Sequence, residues 1–141
     1  GFSAGGQLAL MAALERDDIC AVVTIGAPTD ISTMNREDWQ DCFSEEDLKA
    51  SSPLFQDKKS LPPTMMLHGA LDQVVPVSNC KRFAEKHPSV KSVIIENGNH
   101  GIHWPPLKAQ RAKKEAFNWL VDTMDLPQVG SKWKRKKKKK S

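Results

Sequence analysis

Gly1-Phe2-Ser3-Ala4-Gly5-Gly6-Gln7-Leu8-Ala9-Leu10 opens the chain, and its first five residues match the pattern G-x-S-x-G. That pattern belongs to a sharp turn from a strand into a helix, where glycines flank the serine because backbone segments approach too closely for side chains. The helix half is visible in the residues that follow. Across residues 4–15, Leu8, Met11, Ala12 and Leu14 recur at near-helical spacing among good helix formers. The strand half would lie before Gly1, so the sequence reads as having lost an N-terminal portion. A serine at the start of a helix has a further consequence: the amide of Ala4 can face an oxyanion forming on a bound carbonyl.

Moving outward, residues 20–25 (CAVVTI) are rich in β-branched side chains and end at Gly26 and Pro28. A continuous apolar run of this length predicts a strand buried on both faces. Residues 29–57 are polar, carry Trp39 and Phe43 singly, and predict an excursion above the sheet with one short helix near residues 45–49, N-capped by Ser44. Residues 64–68, between Pro62-Pro63 and Gly69, predict a second short buried strand. A helix over 77–87 ends at Pro88, and a third strand over 90–96 is followed by the turn signal Asn97-Gly98. Pro105 or Pro106 begins a last helix to about Met124, with Ala109, Ala112, Ala116, Phe117, Leu120 and Val121 as its apolar face. Alternating strands and helices predict an α/β fold, a mainly parallel sheet with flanking helices.

Composition narrows the function. The chain has 141 residues, 39% of them apolar, enough for one domain with a real core. Its formal charge of +4 is misleading, because eight of the 21 Lys and Arg residues lie between Lys132 and Lys140. Without them the body carries about −4, which argues against a nucleic-acid site on the folded part. Residues 1–126 therefore read as a partial catalytic domain and 127–141 as a disordered polybasic tail. A solvated tail without a specific partner is its simplest reading, with weak polyanion binding or a nuclear signal as the alternatives. Cys20, Cys42 and Cys80 are too few and too widely spaced for a disulfide framework and form no CxxC pair, as in a reduced cytoplasmic protein. No apolar run approaches the roughly 18 residues that a membrane span needs.

The chemistry lies in three residues taken in chain order. Asp72 stands a few residues beyond the second predicted strand and His100 beyond the third, where open α/β sheets collect their catalytic groups. Serine, then acid, then histidine is the order of one class of hydrolase and not of chymotrypsin-like or subtilisin-like enzymes. A serine hydroxyl is a poor nucleophile at neutral pH. His100 would accept its proton, and Asp72 would hold the imidazole in the right tautomer and stabilise its cation.

The stretches GFSAGGQLAL, ASSPLF (residues 50–55), LHGALDQVVPV (67–77) and GNHGIH (98–103) resemble α/β-hydrolases of the esterase and prolyl-oligopeptidase-like branch. The resemblance implies Ser3 as nucleophile, Asp72 as acid, His100 as base and the Ala4 amide as an oxyanion-hole donor. It also implies ester or peptide substrates, cleaved through an acyl-serine intermediate without metal or cofactor. Such proteins carry further strands and a second oxyanion-hole segment ahead of the nucleophile, and these are not in this sequence. This chain alone is therefore expected to be weakly active or inactive. A non-catalytic, hydrolase-like binding or scaffold protein is the alternative.

Other residues compete for the same roles. His103 lies three residues from His100, which is preferred because glycines flank it. Asp30 follows the first strand, and Asp72 is preferred for its surroundings. His68 reads as a packing or turn-stabilising residue, His87 as a favourable charge at a helix end, and Glu96 as solvated. Trp39, Phe43 and Trp104 either line a substrate pocket or pack against the core.

Overall fold

Parallel pairing dominates the computed structural model, which describes residues 1–34, 42–57, 60–100 and 106–125. Trp39, Gly101, His103, Trp104 and the basic tail lie outside the described residues. In chain order the elements are α1 (Ala4–Glu15), β1 (Val22–Ile25), α2 (Glu45–Ala50), β2 (Thr64–Gly69), α3 (Ser78–Lys86), β3 (Lys91–Ile95) and α4 (Pro106–Thr123), with short 3-10 turns at Ile31–Thr33 and Pro53–Phe55. The strands form one sheet in the order β1-β2-β3. Val22 pairs with Thr64 and Met65 with Lys91, all in parallel.

The alternation of side chains along β2 divides the core. Met66 joins Leu10 and Ala13 of α1, Val22, Leu54, and Cys80 and Phe83 of α3 on one face. Met65 and Leu67 join Ile95 and Ala112 and Ala116 of α4 on the other. Successive strand residues point to opposite faces, so a central strand covered by helices on both sides must be apolar throughout. All six residues of β2 are buried accordingly. Burial pushes the Cys80 thiol up to about 11, which keeps it an inert part of that core.

Three sequence expectations are corrected here. β1 is not buried on both faces: Val22 and Thr24 are buried, while Val23 and Ile25 are only partly covered. α1 turns Leu10, Ala13 and Leu14 inward and leaves Leu8 64% exposed. The phase is set by Gly6, where a Cβ would stand 2.7 Å from the Cβ of Ala27, so the helix seats its Gly6–Leu10–Ala13 line on the sheet. On α4, Ala112, Ala116 and Val121 are buried but Phe117 is 53% exposed.

The excursion after β1 is tied down by polar groups. Fully buried Asn79 accepts the backbone N–H groups of Thr29 and Asp30 at 2.8 Å and donates to Thr33 Oγ1 at 2.8 Å. Asp30 receives Arg82 at 2.6 Å and the Ser32 hydroxyl. Ser44 caps α2, as the sequence predicts, and does so in a capping box with Asp47. Phe43 stays 53% exposed, so it does not pack into the core. Among the described residues no helix is long and apolar enough to cross a membrane.

His87 corrects a further expectation. It ends α3 but is buried, its ring 4.6 Å from that of Phe83. Burial, and secondarily the Lys86 charge, holds its pKa below the ordinary value, so it is not a helix-end cation at neutral pH. His68 shifts the same way, chiefly by burial. Below about pH 6.5 the unfolded chain then binds more protons than the native state, and stability falls as pH drops from there toward the lowered native values. The urea midpoint should decline between pH 7.5 and 5.5, and His87→Gln should make the decline shallower. An unchanged slope would contradict this account.

The turn at the head of α1 makes a second expectation specific. A Cβ on Gly1 would lie 2.1 Å from the Gly5 carbonyl oxygen, whereas one on Gly5 meets nothing within 4 Å. The steric demand expected at the second glycine of G-x-S-x-G falls on Gly6 instead. Gly5→Ala should therefore leave thermal stability unchanged or raise it by up to about 1 kcal/mol, and Gly6→Ala should lower it.

Candidate active site

Ser3 is fixed by the strand it follows. The Gly1 nitrogen donates to the Val23 carbonyl at 2.7 Å, Ile25 N–H to the Gly1 carbonyl at 2.9 Å, and Ser3 N–H to the Ile25 carbonyl at 2.9 Å. These bonds lay residues 1–3 parallel to β1 and bring Ser3 to its carboxyl end. The backbone must then reverse at once into α1, and Ser3 does so at φ 50°, ψ −123°. A non-glycine residue with positive φ stores strain of roughly 1–3 kcal/mol.

Serine at a helix start ordinarily caps the helix with its side chain. Ser3 makes no such bond. Its Oγ instead lies 2.9 Å from His100 Nε2, and His100 Nδ1 lies 2.8 Å from Asp72 Oδ2. A carboxylate only accepts, so Nδ1 carries the hydrogen, and Nε2 is left to accept from the serine hydroxyl. Ala4, the first helical residue, has an N–H for which the helix itself supplies no acceptor, and the residue is exposed beside Ser3.

Asp72 is held from several directions. Its Oδ1 accepts Val74 N–H at 2.9 Å and Val75 N–H at 2.8 Å, and its side chain is fully buried. The His100 side chain keeps 18% exposure. The loops bearing the two residues are joined by backbone bonds, Ala70 N–H to the Ile95 carbonyl at 3.0 Å and Leu71 N–H to the Gly98 carbonyl at 2.8 Å. At Gly69 a Cβ would come within 2.2 Å of the Asn99 carbonyl oxygen. Only glycine lets these loops meet.

The structure thus brings Ser3, Asp72, His100 and the head of α1 together at the carboxyl edge of the sheet. Asp30 is kept apart by Arg82 and Ser32. Glu96 is exposed. Two further side chains stand beside the three. Phe2 sets its ring 5.2 Å from that of His100, a contact the motif position x did not announce. His68 places Nε2 2.9 Å from the Val75 carbonyl oxygen and 3.4 Å from Asp72 Oδ2. Its spacing of four from Asp72 was the available signal. Beside His100, Leu71, Gln73, Val74, Asn97 and Asn99 line a cavity of about 390 Å³.

Among solved structures, a puromycin-hydrolyzing peptidase from Mycobacterium tuberculosis is similar with a TM-score of 0.80 and 22% identity, over 94% of this chain and 22% of that one. A propionate-bound thermophilic esterase from the planctomycete Thermogutta terrifontis is similar with a TM-score of 0.72 and 27% identity, over 92% of this chain and 57% of that one. The same organism's esterase 2 phosphonylated by sarin gives 0.74 and 24%, over 91% and 57%. This chain thus spans about a fifth of the peptidase and just over half of the esterase. No curated protein matches it. Residues 1–126 match the prolyl oligopeptidase family, and with a parallel sheet flanked by helices and these structural neighbours the chain belongs to that family, within the α/β-hydrolase superfamily.

Proposed function

We propose that this chain carries the nucleophile, base and acid of a serine hydrolase that cleaves ester or peptide bonds. The observation that carries the reading is the continuous hydrogen-bonded line from Ser3 Oγ through the His100 imidazole to Asp72. In the first step His100 Nε2 takes the hydroxyl proton as Ser3 Oγ adds to the substrate carbonyl carbon. The carbonyl oxygen becomes an oxyanion facing the Ala4 N–H, and Asp72 stabilises the imidazolium. Collapse breaks the bond to the leaving alcohol or amine, which receives the proton from His100, and leaves an acyl-Ser3 ester. Water repeats the sequence, with His100 as base again, and releases the acid.

The chemistry needs only protein groups and water. Among the described residues the Ala4 N–H stands beside the nucleophile as a donor for the oxyanion. The loss of one donor costs about 2.7–4 kcal/mol in transition-state stabilisation, so turnover by this chain alone is proposed to be weak. The related peptidase and esterase support both substrate classes equally. Free cysteines, two of them exposed, support a cytosolic setting, and the lysine tail suits weak polyanion contacts.

A fluorophosphonate probe reports an activated serine even where turnover is slow. The native protein should be labelled, and Ser3→Ala or His100→Ala should abolish labelling while the circular dichroism spectrum is kept. A folded protein that takes no label would favour a non-catalytic binding role. Asp72→Asn tests the acid separately. It should lower kcat on a p-nitrophenyl ester by up to about 10⁴-fold, because the amide favours the wrong imidazole tautomer; a loss below tenfold would remove Asp72 from the mechanism.

A further inference from the structure

We infer that His68 is a positioning residue for the Asp72 carboxylate, fixing it, and through it the His100 imidazole, in line with Ser3. The inference rests on the serine-hydrolase reading above. His68 belongs to β2, the central strand, and is 0% exposed. Asp72 belongs to the loop after that strand, where its N–H turns back to the Gly69 carbonyl at 3.3 Å. The Val75 carbonyl can only accept, so the hydrogen is on His68 Nε2, which donates to it at 2.9 Å. The same N–H end lies 3.4 Å from Asp72 Oδ2, the oxygen that receives His100 Nδ1. The ring thereby ties the loop backbone to the central strand through Val75 and sets the polar N–H end beside the acid.

The state of the ring matters as much as its place. Burial is the largest influence on the His68 pKa and lowers it; the Val75 carbonyl and the Asp72 charge act to raise it, and His100 to lower it. A neutral ring offers Asp72 the positive end of an N–H dipole without a full charge. An arginine or lysine there would compete with His100 for the carboxylate and weaken the base. His68 also has a cost that an apolar side chain would not carry, since its Nδ1 is buried with no hydrogen-bond partner among the described residues. A leucine would pack there without that orphan, so the Nε2–H end has to account for a histidine at this position.

The test compares His68→Leu, which removes the donor, with His68→Gln, whose amide can restore it. Rates on a p-nitrophenyl ester are measured per active site titrated with fluorophosphonate, beside urea midpoints. In His68→Leu, kcat should fall roughly 10- to 100-fold with KM within about twofold. The acid limb of the kcat/KM profile should move to higher pH, because the uncompensated carboxylate stabilises the His100 cation more strongly. His68→Gln should recover most of the rate and return the limb. If both variants lose only stability, with kcat per titrated site and acid limb unchanged, His68 is a loop staple and the inference fails. If the unsubstituted protein shows no Ser3-dependent fluorophosphonate labelling, the hydrolase reading fails and this inference with it. Histidine ¹⁵N spectra of the unsubstituted protein need no variant to fold: His68 should appear at neutral pH as a neutral Nε2–H tautomer. An Nδ1–H tautomer would overturn the assignment.

Discussion

Parallel hydrogen bonding between residues 1–3 and β1 decides where the rest of the rim must stand. Once Ser3 N–H is bound to the Ile25 carbonyl, the chain has run out of sheet and must enter α1 in a single residue. Ser3 absorbs the reversal with a positive φ, and the cost is met by the bonds on its strand side and by the helix seated against Ala27 and Thr24 through Gly6. The strained turn has a chemical consequence. It denies the hydroxyl its usual capping bond and leaves it facing the imidazole.

The imidazole and the carboxylate arrive by a different route. Each is carried on a loop leaving a parallel strand, and adjacent parallel strands release their loops at the same edge. Proximity of the loops follows from topology, but contact does not. Contact depends on Gly69, where the Asn99 and Gly98 carbonyl oxygens occupy the space a side chain would need, and on two backbone bonds that join the loops. The Nδ1–carboxylate bond is therefore the last link in an arrangement that the backbone has already closed.

Much of this was legible from residues alone. Strand content and parallel character followed from apolar runs punctuated by glycine and proline, and the elements fall within a residue or two of the positions predicted. The phase of helices was less legible. α1 is apolar nearly all round, so no pattern of Leu8, Met11 and Leu14 could say which side met the sheet; a single close contact at Gly6 decided it. The half-covered face of β1 was hidden for a similar reason, because a run of Val and Ile reports what a strand can bury and not what packs against it. The charge on His87 was misjudged because its burial against Phe83 is a tertiary fact.

The choice between Asp30 and Asp72 shows where local sequence stops. Both aspartates follow a strand by a few residues, and both accept the N–H two positions on, Asp30 from Ser32 and Asp72 from Val74. As turns they are near equivalents. They differ in what their second oxygen meets. Asp30 Oδ2 takes the Arg82 guanidinium, a permanent cation that leaves no use for the carboxylate beyond anchoring α3. Among the described residues, Asp72 Oδ2 has the imidazoles of His100 and His68 as its neighbours, so its negative charge stays available for a cation that forms and disappears. The distinction between a structural and a chemically useful carboxylate lies in the partner being unable or able to change its charge, and that partner comes from a distant part of the chain in both cases.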